Sequence, residues 1–354
     1  MRAILVTSTA PYSGKSGIAL ALIHELQERG HNVGYFKPIG TMPVMAEGVT
    51  TDQDALYVNR YCLREPVPLA DICPIVRTQA FVERVLAHEI DGLADRLVSA
   101  YASCAEGRDV MVIEGHSDLY QARSIGLSVE SVAALLDARA LLIDRPNGMD
   151  LPDDVLTVAE LLGDHLGGVL LNWVHESQYD FVVRRVSPFL EASGVKVFGI
   201  LPHDAALSSV TVAEIVEALS GTVLCAEERL DETVEAFMVG AMGQDKALRF
   251  FRRKDRKAVI TGGDRADVQL AALETNTHAL ILTGGLPPGL LVLARAEELG
   301  VPMIMVDTDT LTAVEKMGAL MGHVRLHDVT KAARIRDMLK DAVDMDALLA
   351  AFGI

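Results

Sequence analysis

Residues 3–16 read Ala-Ile-Leu-Val-Thr-Ser-Thr9-Ala-Pro-Tyr-Ser13-Gly14-Lys15-Ser16, and this stretch decides the fold. An apolar run at 3–6 leads into a polar loop, and residues 17–26 then carry apolar side chains at helical spacing. The order is strand, loop, helix. A loop of this kind can cradle phosphate: backbone N–H groups and a helix start face the phosphate oxygens, a Lys neutralises their charge, and a Ser or Thr hydroxyl ligates Mg²⁺. Gly14, Lys15 and Ser16 meet that need, with Thr9 and Ser13 supplying the rest of the cradle. Thr9 stands where the usual pattern has its first Gly. A helix start that merely contains a Gly is the alternative.

Outward from this loop, apolar strands are predicted at 33–36, 110–113, 140–143, 168–171 and 195–200, mostly separated by amphipathic stretches such as 153–162 and 179–190. Strands alternating with helices imply right-handed crossovers and a mostly parallel sheet covered on both faces, an α/β fold of the P-loop NTPase type. A second series begins after Pro202-His203-Asp204, with a helix expected at 211–219, an extended segment at 222–225, a helix at 232–238 and strands at 258–260, 279–282 and 302–306. The domains therefore divide as 1–208 and 211–354. The second takes in a tail, 331–354, of one or two amphipathic helices with Ile335, Leu339, Val343 and Leu348 on their apolar faces.

At 354 residues the chain is long enough for about two domains with cores of their own. Its formal charge of -17 argues against nucleic acid or an anionic membrane as partner and in favour of small molecules. The four cysteines, at 62, 73, 104 and 225, form no C-x-x-C pair and read as reduced, packed thiols. The opening apolar stretch is short for a signal peptide, and no window reaches the ~18 apolar residues of a membrane helix, so a cytoplasmic location is expected. A homo-oligomer, by default a two-fold dimer, is expected too.

Three further features fit a phosphate site. Lys37 follows the strand at 33–36, at the carboxyl end where open α/β sheets bind ligands, unless it is simply a solvated lysine. Asp52 and Asp54 follow a loop and either ligate Mg²⁺ through oxygen or cap the helix at 55–61. Glu114 ends the apolar run at 110–113, with Gly115 permitting close approach.

On the loop at 6–16, Tyr35-Phe-Lys-Pro38, Asp54, Val112-Ile-Glu-Gly115, Asn172 and Ile200-Leu-Pro202, residues 1 to about 208 resemble the dethiobiotin synthetase-like ATP-binding domain, also found at the N-terminus of long phosphotransacetylases. The resemblance implies ATP phosphates on the loop, Lys37 stabilising developing phosphate charge, Mg²⁺ on Ser16, Asp54 and Glu114, Asn172 at the adenine, and Pro202 among the cofactor-binding residues. His116 departs from the small residue of the synthetases. The insert 62–78, with Pro66, Pro68 and Pro74, is closer to the phosphotransacetylase domains.

Residues 258–263 and 280–285 share a strand followed by Thr-Gly-Gly, 22 residues apart. With Val306-Asp-Thr-Asp309 they resemble a DRTGG domain, a regulatory module. Thr261, Gly262, Gly263, Asp264, Thr283, Gly284, Gly285 and Asp307 fall on one sheet edge that offers amides to an anion or nucleotide, or else the glycines serve only as tight turns. Asp264 and Arg265 are placed to pair. From 246 to 257 seven basic residues surround one acid, Asp255, with Phe250 and Phe251 between them, either a site for an anionic partner or a solvated loop. His323 and His327, four apart, could share a metal on a helix, though no carboxylate base motif accompanies them.

The expectation is a regulatory protein binding ATP and Mg²⁺ and sensing a small effector through its DRTGG domain. The acetyltransferase module of the long phosphotransacetylases is not expected in this chain. The alternative is an ATP-dependent ligase of the dethiobiotin or cobyrinic acid amide synthase kind, phosphorylating a carboxylate or carbamate. A third reading, an assembly partner that has lost nucleotide binding, rests on Thr9 and Pro11.

Overall fold

The computed structural model describes residues 2–146, 151–207, 209–322 and 329–354. His323 and His327 lie outside the described residues. The chain forms two compact units, Met1–His203 with Val324–Ile354, and Asp204–His323.

In the first unit, strand Arg2–Ser8 is the fourth of six in the order 197–202, 166–174, 139–144, 2–8, 110–114, 33–36. Every pairing is parallel. The central strands 2–8, 110–114 and 139–144 are buried almost throughout, as a parallel sheet flanked by helices requires, and they therefore read as continuous apolar runs without alternation. The P-loop NTPase-type α/β class is thus the one observed. Register positions the site: Val6 lies opposite Glu114 and Phe36 opposite Ile113, so Glu114 and Lys37 emerge side by side at the carboxyl edge, level with the start of the loop.

Helix Lys15–Glu28 is apolar on nearly all sides, Gly17 to Ile23 and Leu26 being buried, because it is covered on two sides. One cover is the sheet. The other is helix Val329–Ala342, whose Ile335 Cδ1 sits 2.6 Å from where a Cβ on Gly17 would be. This corrects the assignment of the tail to the second domain. Its apolar stripe seats on the helix that follows the loop, Val343 bridges to Gly199, and Phe352 packs over Gly167. Exposed pairs, Lys340–Glu28 at 2.7 Å and Arg336–Glu28 at 3.1 Å, fix orientation more than they stabilise.

The main sheet of the second unit has, among the described residues, five strands in the order 222–225, 303–305, 277–283, 257–262, 236–239, the first antiparallel and the rest parallel. Alternate residues feed separate cores on the two faces, Ile260, Ile281 and Ile304 on one, Val259, Leu280 and Met303 on the other. The helix expected at 232–238 is instead extended: Thr233–Val234 pairs with Val210–Thr211, and Ala236–Val239 is the edge strand. Thr, Val and Phe side chains favour the pleated state, and Val234 and Met238 gain burial there.

All four cysteines are free and buried, burial raising the thiols of Cys62 to about 11 and Cys104 to about 12. Among the described residues no helix is long and apolar enough to cross a membrane.

Candidate functional site

The loop turns through two left-handed residues, Tyr12 at φ 62° and Gly14 at φ 87°, and Gly14 O accepts the first helical bond from Ile18 N at 3.1 Å. Gly14 also permits close packing: a Cβ there would fall 2.4 Å from Asn172 Nδ2. Ser13 Oγ donates to Ala10 O at 2.7 Å and so tightens the loop on itself. Lys15 keeps part of its surface in solvent yet lies deep in the protein mass. Desolvation lowers its ammonium pKa, with Glu114 opposing. No carboxylate of the described residues lies within ion-pairing distance of it. The loop therefore presents a cation without a fixed counter-charge beside a helix start, the requirement for holding a polyanion.

Behind the loop the sequence-predicted residues converge. Ser16 Oγ donates to Glu114 Oε1 at 2.7 Å and Tyr35 OH to Glu114 Oε2 at 2.8 Å. Lys37 Nζ lies 2.8 Å from Asp52, 3.2 Å from Asp54 and 3.3 Å from Glu114, all four side chains being buried. Lys37 is thus no solvated strand-end lysine. Burial alone would push the Glu114 carboxyl up, but Lys37, Lys15 and the two donated bonds together hold it at about 2. Asp54 goes the other way: burial first, with Glu114 and Asp52 adding to it, pushes its carboxyl up to about 6 against the pull of Lys37. Lys37 loses to burial but is held well above its ordinary value by the three carboxylates.

Of the two roles the sequence left open for Asp52, the structure shows the helix cap. Its Oδ1 accepts from Asp54 N at 3.0 Å as the cap of helix Gln53–Tyr61, while Oδ2 accepts from Thr41 N and Met42 N, each at 2.9 Å. With its oxygens so engaged it is a scaffold for Lys37. Three carboxylates against one buried ammonium leave the cluster short of positive charge, and the raised Asp54 carboxyl expresses that shortage.

Among the described residues no three or more His, Cys, Asp or Glu side chains form a metal cage. Mg²⁺ does not need one, since it keeps several waters and takes one or two carboxylates plus substrate phosphates. Ser16, Asp54 and Glu114, hard oxygen donors with excess negative charge, fit that demand.

Two groups at this edge carry signals that sequence reasoning missed. Asp144, closing strand Arg139–Asp144, accepts from Thr9 Oγ1 and so ties down the loop where the usual Gly is absent. Burial pushes its carboxyl up to about 6, and its Oδ2 has no hydrogen-bond partner among the described residues. Tyr35 is the second, seen in sequence only as part of a motif. His116 Nε2 donates to Leu127 O at 2.7 Å, burial lowers its imidazole to about 4, and its Nδ1 has no hydrogen-bond partner among the described residues. Asn172 Nδ2 donates to Ser13 O at 2.8 Å, which places Asn172 against the loop. Pro202 is exposed at the end of its strand, opposite Val174.

In the second unit both Thr-Gly-Gly segments do reach one sheet edge, but their amides face inward. Gly263 N donates to Thr283 O at 3.2 Å, Gly284 N to Thr308 O at 3.0 Å and Gly285 N to Val306 O at 3.0 Å. Gly284 and Gly285 have φ of 86° and 64°, and a Cβ on Gly263 would meet Leu286 O at 1.9 Å. The glycines are needed for turns and close packing. Thr261 Oγ1 donates to Gly240 O at 3.2 Å, and Thr283 Oγ1 shares a bond with Thr310 Oγ1 at 2.8 Å. Among the described residues Thr308 Oγ1 and Gln269 Oε1 are without a hydrogen-bond partner at this edge, with Asp307 and Asp264 exposed. Arg265 pairs with Asp267 at 3.2 Å and not with Asp264, because Asp267 opens the first turn of the following helix. In the basic stretch Arg256 pairs with Glu235 at 2.8 Å, and Lys257 is buried, donating to Asn276 O at 2.9 Å with its ammonium lowered to about 8 by desolvation. The exposed remainder is smaller than the composition implied.

A family model described as an AAA domain, AAA_26, matches residues 2–211, and a DRTGG domain model matches 214–320. The chain belongs to the AAA_26 family. Its AAA domain contains the whole carboxylate cluster, and its DRTGG domain contains both Thr-Gly-Gly loops. Phosphate acetyltransferase of Pseudomonas putida is 26% identical over 97% of this chain and 51% of its own length. That of Escherichia coli is 20% identical over 98% and 52%. The chain thus spans about half the length of the curated relatives it matches. Among solved structures, the cell division ATPase MinD of Pyrococcus furiosus covers 57% of this chain and 85% of its own at 20% identity and TM-score 0.36. The CBS and DRTGG domains of the regulatory region of Clostridium perfringens pyrophosphatase, complexed with the activator diadenosine tetraphosphate, cover 52% and 80% at 18% identity and TM-score 0.30.

Proposed function

We propose that the AAA domain binds ATP with Mg²⁺ on the 9–16 loop and that the chain is a regulatory protein whose DRTGG domain senses a nucleotide or other anionic ligand, in the manner of an N-terminal region of a phosphate acetyltransferase. The observation that carries the first half is the convergence of Ser16, Lys37, Asp54 and Glu114 behind a loop whose own Lys15 has no ion-pair partner among the described residues. In this reading backbone amides of the loop and Lys15 take the phosphates. Ser16, Asp54 and Glu114 hold the metal, which supplies neutralisation of phosphate charge. Asn172, its amide nitrogen fixed by Ser13 O, keeps Oδ1 for the amino group of adenine. For the DRTGG domain the inward amides shift the contact to side chains, with Thr308, Gln269, Asp264 and Asp307 as the polar groups at that edge.

Regulation requires reciprocal coupling between two sites, about 5-fold or more in affinity for a coupling of about 1 kcal/mol. Calorimetric titration of the full chain with Mg-ATP, with and without saturating diadenosine tetraphosphate as the probe, tests it. A 5-fold or larger change in ATP affinity, matched in the reverse titration, supports regulation (on the order of that coupling energy). Equal affinities in both arms refute it. The ligase reading keeps one favourable observation, Lys37 held 3.3 Å from the same Glu114 that binds Ser16, close to where phosphate charge would develop. ADP release dependent on an added carboxylate or amine would select it.

A further inference from the structure

Strand Leu166–Val174 reaches the loop with an abrupt change of backbone: Trp173 has φ 60°, a left-handed conformation that a bulky L-residue adopts only under strain. Such strain persists where the surroundings enforce it, and it collects at ligand sites. Here it sets the indole against the nucleotide loop, Nε1 lying 3.7 Å from the place a Cβ on Gly14 would occupy. The guanidinium carbon of Arg145 stands 4.1 Å from the ring centroid, and the His203 ring meets the indole edge-on at 5.2 Å and 73°. Arg145 is exposed and has no carboxylate partner among the described residues, and Trp173 is half-buried. A planar apolar surface, a guanidinium and an imidazole thus gather next to Asn172 and Gly14, beyond the phosphate end of the loop. This chemistry suits a flat heteroaromatic ring carried on a phosphate chain: stacking on an indole accepts any base, a larger ring covers more of it, and an arginine plane adds to the stack.

We propose that Trp173, supported by Arg145 and His203, is the base-stacking platform of the site and makes it favour purine nucleotides over pyrimidine nucleotides and over bare polyphosphate. The proposal rests on the nucleotide reading of the 9–16 loop. Trp173 is the single tryptophan in the sequence, so its fluorescence reports on this position alone. The full chain is titrated with ATP, CTP and inorganic tripolyphosphate in the presence of Mg²⁺, following both fluorescence and heat. Trp173→Gly relieves the left-handed strain and keeps the variant folded, Trp173→Phe retains an aromatic face, and Arg145→Ala removes the guanidinium. The expected result is fluorescence quenched by ATP, with affinity in the order ATP, CTP, tripolyphosphate. Trp173→Gly should lose about tenfold in ATP affinity, with tripolyphosphate changed by less than about twofold. Trp173→Phe should restore most of the loss. Equal losses for ATP and tripolyphosphate in Trp173→Gly, or no loss for either, would overturn the platform while leaving the loop intact as a phosphate site. Failure of wild type to bind either ATP or tripolyphosphate would overturn the loop reading itself.

Discussion

Replacing Asp54 by Asn is expected to make the nucleotide-free protein more stable at neutral and alkaline pH while weakening Mg²⁺-dependent ATP binding. Asp54 is buried, with Lys37 Nζ at 3.2 Å, and burial together with Glu114 and Asp52 pushes its carboxyl up to about 6 from 3.8. A folded-state value above the unfolded one means that the native state binds the proton more tightly. The associated stability is present below about pH 4 and is lost as pH rises through about 6. A gap of about two units corresponds to about 3 kcal/mol carried as a penalty by the ionised native protein. Asn has the same shape, can still accept from Lys37, and never ionises. Thermal unfolding without Mg²⁺ should therefore show the variant above wild type by about 3 kcal/mol, several degrees in midpoint, at about pH 8, with the difference closing towards about pH 4. A variant less stable than wild type at about pH 8, or a difference independent of pH, would refute the reasoning.

Lys37→Met leaves Asp52, Asp54 and Glu114 buried without their shared cation, and should cost about 3–5 kcal/mol in chemical denaturation. Ile335→Ala opens a cavity between helix Val329–Ala342 and helix Lys15–Glu28, for an expected loss of about 2–5 kcal/mol in the same assay. Gly263→Ala drives a Cβ to within 1.9 Å of Leu286 O. Hydrogen exchange should then rise across 257–286 while the strand at 110–114 stays protected.

Part of the cluster was legible because its members stand at element ends: Lys37 after the strand at 33–36, Glu114 closing 110–114, Ser16 in the first turn of the first helix. Parallel strands turn that sequence position into a shared edge. Asp144 ends a strand in the same way, yet its partner Thr9 is 135 residues distant, and nothing local marks a carboxylate that ties down a loop. The helix expected at 232–238 failed for a related reason: apolar spacing compatible with a helix was overridden by pairing of Thr233–Val234 with Val210–Thr211. The C-terminal tail was read correctly as helical, but its destination depended on the bare Cα of Gly17 more than three hundred residues earlier. The Thr-Gly-Gly repeats were visible as loops at one edge. That their amides point inward is a matter of hydrogen-bond geometry, which composition does not encode.

Calorimetric titration of the full chain with Mg-ATP, beside the Lys15→Ala variant, asks whether the 9–16 loop holds a Mg-nucleotide through Lys15. Wild type should bind, and the variant, still folded at the assay temperature, should lose about 10- to 100-fold, the value of a hydrogen bond to a charged group. Equal ATP affinity in the two proteins would contradict the account.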